Sequence, residues 1–141
     1  MNYLNILVPV DFSEPNKLAI RKAKEMRGAG NANLILAHVI DYAPPSYVKP
    51  LLPDLLASEE VMIERAQAHL DAVISEEGLT NYRCVVKIGN TRSSLIDIIE
   101  ENSVDLIVMA KHSQSGLDRL AGSNTNSVVQ RAKCDVLVVH E

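Results

Sequence analysis

The residues best placed to do chemistry fall between Asp105 and Arg131, in the stretch DLIVMAKHSQSGLDRLAGSNTNSVVQR. Its apolar run Leu106 to Ala110 reads as a buried strand, and its end, with Val128, Val129 and Ala132, reads as an amphipathic helix. The linker between them, Lys111 to Ala121, is longer than the ~2–6 residues that usually join a strand to the next helix, which is the length of a binding loop. It closes on Gly122-Ser123-Asn124, where glycine lets backbone approach a ligand and serine can cap a helix start. Free amides at such a helix end attract anions, phosphate above all. Lys111 and Arg119 could neutralise phosphate charge or simply stay solvated. His112 beside Ser113 is the one histidine–hydroxyl pair in the loop, and adjacent loop residues without a third orienting group make a poor base and nucleophile. Asp11, at the polar end of the apolar run YLNILVPV, could accept hydrogen bonds from a ribose, help to hold a hydrated Mg2+ beside phosphates, or merely cap its own turn. Metal ligation by His38 and Asp41 fits on spacing but lacks a third ligand.

Composition removes several classes. At 141 residues and 47% hydrophobic, the chain suits one domain with one buried core, residues 1–141. A formal charge of −4 gives no basic balance to track a nucleic-acid backbone. No signal-like segment and no apolar run of membrane-spanning length is visible, so the expectation is a cytoplasmic protein with neither nucleic acid nor membrane as partner. Cys84 and Cys134 lie far apart beside apolar segments and read as buried free thiols.

The elements that must position these residues alternate. Tyr3 to Val10 reads as a strand buried on both faces. A helix follows, with Ser13 as cap, Glu14 at its positive end, Pro15 in its first turn and an apolar face of Leu18, Ala19, Ala23 and Met26. Gly28-Ala29-Gly30 ends it, in the wrong order of elements for a dinucleotide fingerprint. Leu34 to Ile40 is the second strand. Asp41 to Asp54 carries four prolines and reads as an extended excursion, a connector or a flap. Ser58 to Glu77 reads as a longer helix facing inward through Met62, Ile63, Ala66, Leu70, Val73 and Ile74, with His69 at the margin and Gly78 as its stop. Tyr82 to Ile88 is a more amphipathic strand suited to a sheet edge. Thr91 to Asn102 is a helix with Leu95, Ile96, Ile98 and Ile99 inward, and Val136 to Val139 is the last strand. Five strands alternating with four helices predict an α/β fold with a parallel sheet covered on both faces. Ligands of such sheets bind at the carboxyl ends of the strands where the winding reverses, and pattern alone does not say which strands flank that point.

The segments ILVPVDFSEPNKLAIRKA, LILAHVID and LIVMAKHSQSGLDRLAGSNTNSVVQRAKCDVLVV together resemble the UspA family of universal stress proteins over essentially the whole chain. The resemblance implies a five-stranded parallel sheet in strand order 3-2-1-4-5, Rossmann-like and adenine nucleotide alpha hydrolase-like, and a homodimer pairing through the last strands. It also implies a nucleotide site. The ATP-binding branch carries G-x2-G-x9-G-[S/T] after strand four, and here the first two glycines are matched by Ala110 and Ser113 while Gly122-Ser123 is retained. The spacer Gln114 to Ala121 is eight residues instead of nine. Ala110 closes off easy access to positive φ, and Gly116 supplies a flexible point elsewhere. On the adenine and ribose side Pro9, Val10, Asp11 and Val39 match the binding branch, and Met109 and Asn124 complete the nucleotide-binding set implied for ATP or AMP, with Mg2+.

Three functions follow. The first is a stress-response module with a degenerate cleft for ATP or AMP, using Pro9, Val10, Asp11, Val39, Met109, Ala110, Ser113, Gly122, Ser123 and Asn124. The second is a nucleotide-independent homodimeric interaction module. The third, a slow ATPase or adenylyl transferase, lacks both a G-x-x-x-x-G-K-[ST] phosphate loop and a G-x-S-x-G elbow, and no catalytic residue is assigned.

Overall fold

The structure is a computed structural model in which residues 2–12, 14–41, 58–111 and 118–140 are described. Its elements run β1 (Asn5–Pro9), α1 (Glu14–Arg27), β2 (Asn33–Ile40), α2 (Glu59–Glu77), β3 (Tyr82–Ile88), α3 (Thr91–Glu101), β4 (Leu106–Lys111), α4 (Asp118–Arg131) and β5 (Asp135–His140). The strands pair in parallel in the order β3-β2-β1-β4-β5, as the resemblance implied. Successive side chains of a strand point to opposite faces, so each strand feeds two cores. Ile6, Val8, Leu34, Leu36, Leu106 and Val108 meet Ala19, Ile20 and Ala23 of α1 and Leu70 and Ile74 of α2. Leu7, Ile35, Ala37, Ile107 and Met109 meet Leu95, Ile98 and Ile99 of α3 and Val128 of α4. Burial on both faces is why β1, β2 and β4 are almost wholly apolar.

The helix ends follow from local chemistry. The Ser58 hydroxyl caps α2 by accepting from the Val61 amide, and Gly78 closes it in the left-handed conformation, φ 61°. Asn90 caps α3 by accepting from the Ser93 amide. Helix α2 has no basic residue in its last turn, and α1 supplies what is missing. Lys17 pairs with Glu76 at 2.8 Å and Arg21 with Glu77 at 3.1 Å, Lys24 donates to the Glu77 carbonyl, and Arg27 donates to the carbonyls of Thr80 and Asn81. Four cations recurring at helical spacing thus cover the negative end of the neighbouring helix.

Four expectations are corrected. Met26 is 42% exposed, and Ile20 takes its place in the core. Fourteen helical residues span about 21 Å and five strand residues about 17 Å, so the last turn of α1 overhangs the sheet. Ile63 is likewise exposed near the start of α2. Cys84 and Cys134 are free as expected but only half-buried. Helix α4 begins at Asp118, ahead of the expected boundary at Gly122, because Arg119, Leu120 and Ala121 are good helix formers. The Ser13 cap, the proline-rich excursion after Asp41, and His112, Ser113 and Gly116 lie outside the described residues.

Candidate functional site

The winding reverses between β1 and β4, and a cleft of about 190 Å³ opens at the carboxyl ends of the strands there. Its walls are Pro9, Val10 and Asp11 after β1, Ala37, His38 and Val39 of β2, Met109 and Ala110 of β4, Asn16 of α1, Thr91 and Leu95 of α3, and Thr125 of α4. Six of the ten expected nucleotide-binding residues therefore come together: Pro9, Val10, Asp11, Val39, Met109 and Ala110. Gly122, Ser123 and Asn124 lie within α4 rather than ahead of it, and Ser113 falls outside the described residues.

The β1 wall is held by contacts to β2, α1 and α2. The Val10 amide donates to the Ala37 carbonyl at 2.7 Å, carrying the β1–β2 ladder past the end of the strand. The Val10 carbonyl accepts from His38 Nδ1 at 2.7 Å. A carbonyl only accepts, so the His38 proton sits on Nδ1. The Asp11 amide donates to Asn16 Oδ1. Phe12 then turns through φ 66°, a conformation unfavourable for a residue with a side chain. Its ring lies 4.4 Å from that of His38 and 4.9 Å, edge-on, from that of His69. The turn is thus fastened to β2 and α2 by ring packing. On the far side, Asp41 accepts from the Thr91 hydroxyl at 3.2 Å, which ties the end of β2 to the start of α3.

His38 and Asp41 are each engaged in these contacts, and among the described residues no three His, Cys, Asp or Glu side chains gather as metal ligands. Sequence reasoning did not find Asn16. A signal was available, since Asn16 stands three and four residues before Ala19 and Ile20 and so shares the buried row of α1.

A second hollow, about 370 Å³, lies at the opposite end of the sheet between Tyr3, Asp105 and Asp135. It is the larger of the two, but the side chains of Tyr3, Asp105 and Asp135 are already in use. Asp105 accepts from the amides of Leu4 and Asn5, and Asp135 accepts from the Tyr3 hydroxyl at 2.7 Å. That bond, with the negative charge around it, raises the Tyr3 phenol above its ordinary value. Burial raises the thiols of Cys84 and Cys134, and Asp135 and Asp105 add to the effect at Cys134. A raised thiol is a poor nucleophile near neutral pH.

A family model described as "Universal stress protein family" matches residues 2–140. The chain belongs to the universal stress protein family. Universal stress protein A homolog 1 of Coxiella burnetii is 31% identical over 140 residues, covering 99% of this chain and 97% of its own length. The solved universal stress protein UspA from Lactobacillus plantarum superposes with a TM-score of 0.74 at 29% identity, over 99% of both chains. A universal stress protein solved in complex with cAMP superposes with a TM-score of 0.64 at 26% identity, over 99% of this chain and 98% of that one. Among the described residues no helix of this universal stress protein is long and apolar enough to cross a membrane.

Proposed function

We propose that this universal stress protein is a stress-response module that binds an adenine nucleotide in the cleft at the β1–β4 reversal. The observation that carries the reading is the convergence of Pro9, Val10, Asp11, Val39, Met109 and Ala110 on one hollow at the carboxyl ends of β1, β2 and β4. The cAMP held by a relative of the same fold supports the ligand class. The base and sugar side is built from rigid strand ends, and the phosphate side is weak. Ala110 stands where the ATP-binding pattern has glycine. The first helical amides of α4, those without a partner in the helix, belong to its turn at Asp118 rather than to Gly122 and Ser123. Asp11 is the one carboxylate among the described residues that line the cleft, too few ligands to hold a resident Mg2+. The ligand is accordingly AMP-like, and ATP gains little from its extra phosphates.

Thermal unfolding with and without AMP, cAMP and MgATP tests this. Nucleotide at a hundredfold excess over Kd stabilises the native state by about 2.7 kcal/mol, roughly 5–10 °C for a chain of this size. No shift at millimolar nucleotide would sink the reading and leave a nucleotide-independent module.

The edge position of β5 favours a second element of the proposal, a homodimer. Val136 to Val139 are apolar and only half-buried on a strand with one free edge, the kind of edge that proteins cover. Sedimentation should show a dimer, and proline at Val138 should give monomers. A dimer unaffected by that proline would place the interface elsewhere.

A further inference from the structure

Asn16 is 6% exposed, so its side chain is removed from bulk water, yet it lines the cleft. Its amide is oriented without ambiguity, because the Asp11 N–H it meets can only donate and so selects Oδ1. The nitrogen, Nδ2, is thereby left with two donor hydrogens, and neither has an acceptor among the described residues. A buried amide left unpaired is costly, and such groups are rare enough that each one calls for a partner.

The neighbourhood indicates which partner. Nδ2 sits on the side chain that grips the backbone of Asp11, and both residues line the cleft. A phosphate oxygen accepts but does not donate, and a second negative charge next to Asp11 is disfavoured. A sugar hydroxyl does both. It can donate to a carboxylate and at the same time accept from Nδ2.

We infer that Asn16 is a ligand-contacting selectivity residue, whose amide nitrogen donates to a ribose hydroxyl oxygen of the bound nucleotide and so favours ribonucleotides over sugars lacking that hydroxyl. The inference rests on the nucleotide reading above and deepens it. A site that hydrogen-bonds a hydroxyl rejects the analogue without it, because the buried donor is then left bare.

The test uses the unaltered protein. Its side-chain amide signals are followed by nitrogen–proton NMR with saturating AMP and with saturating 2′,3′-dideoxy-AMP, whose affinities are measured by calorimetry. Asn16→Asp, which keeps the oxygen that holds Asp11 and deletes the donor, assigns the Asn16 signal by its loss. Asn16→Ser serves the same purpose if that variant does not fold. AMP should move the Asn16 amide protons downfield and the dideoxy ligand should not, with AMP bound about tenfold more tightly or better. If both ligands bind and leave the Asn16 amide at the same position, the inference is overturned while the nucleotide reading stands. If neither ligand binds, both fall.

Discussion

His38 offers the sharpest separation of the forces that shape the cleft. It contributes two things to the wall after β1, a hydrogen bond from Nδ1 to the Val10 carbonyl and a ring packed against Phe12. Val10 is 3% exposed, so water does not readily replace the lost donor, and an orphaned carbonyl there costs about 1–3 kcal/mol. The ring pair adds about 0.5–1.5 kcal/mol, more than an isolated contact would matter elsewhere, because Phe12 is already held in an unfavourable backbone conformation. His38→Ala should therefore destabilise by about 2–4 kcal/mol. Asparagine places an N–H close to where Nδ1 stands but brings no ring, so His38→Asn should cost only the ring contact, about 0.5–1.5 kcal/mol. Urea unfolding measures both. With a slope of about 2 kcal/mol/M the alanine variant moves its midpoint by about 1–2 M, and the asparagine variant by less than 1 M. Both should weaken nucleotide binding, alanine the more, since the loosened segment is the wall formed by Pro9, Val10 and Asp11. The reasoning fails if alanine falls within 0.5 kcal/mol of the parent, roughly the noise expected of an ordinary surface change. It fails equally if asparagine is as damaging as alanine.

Other consequences are simpler to check. Gly78 has open space where a methyl group would stand but a φ of 61°, so Gly78→Ala should cost about 1 kcal/mol from backbone strain alone, and Gly78→Asn less; a clash-sized loss in calorimetry would refute this. Glu77 is 8% exposed and takes the Arg21 guanidinium through both oxygens, so Arg21→Ala strands a desolvated carboxylate. A loss of about 1–3 kcal/mol is expected, and a neutral variant in urea unfolding would show that the pair is worth no more than an ordinary surface bridge. Because burial raises Cys84 and Cys134 above the ordinary thiol value of 9.0, both should alkylate slowly at pH 8 and faster only as the pH passes that value. The sign for stability is the same: the protonated thiols are favoured in the fold, so their contribution is present below pH 9.0 and lost as the pH rises through the folded values. Rapid labelling at pH 7 by iodoacetamide would contradict it.

The strands were legible because burial on two faces leaves little room for polar residues, and β1, β2 and β4 say so in LNILVPV, LILA and LIVMA. The ends of α2 were legible for a different reason: an acidic first turn and a glycine after the last are choices made by unpaired backbone groups within a few residues. Strand order was not in the pattern at all, since any of several pairings would bury the same apolar runs, and it came from the resemblance. Met26 was misplaced because periodicity reports the face of a helix and not where its neighbour ends. Asn16 escaped as a site residue, and His38 was read only as a possible metal ligand, for a related reason. Their roles depend on one backbone amide and one carbonyl at the end of β1, partners separated from them by 5 and 28 positions, and side-chain type alone does not name such partners. The start of α4 was misread because Gly122-Ser123 looks like a helix entrance, while the stretch ahead of it has the propensity to be helical already.

The two ends of the sheet treat polarity differently, and that contrast supports the carboxyl ends as the place to look for a ligand. At the amino ends several strongly polar groups are put to structural use. Asp105 closes on the amides of Leu4 and Asn5, Asp135 takes the Tyr3 hydroxyl, and carbonyls at and after the end of α2 are met by Lys24 and Arg27. Such satisfied groups stabilise the fold and have little left to offer a ligand. At the carboxyl ends two features within a few residues cost stability: Phe12 holds a conformation its side chain disfavours, as Asn81 and Ser103 do at the amino ends, and Asn16 buries a donor with no acceptor among the described residues. Neither feature improves the fold on its own, and each costs stability that the apolar cores supply. A bound molecule that engages Asn16 and rests against the wall fixed by His38 gives both a purpose, which is why the smaller of the two hollows is the one to probe with nucleotide.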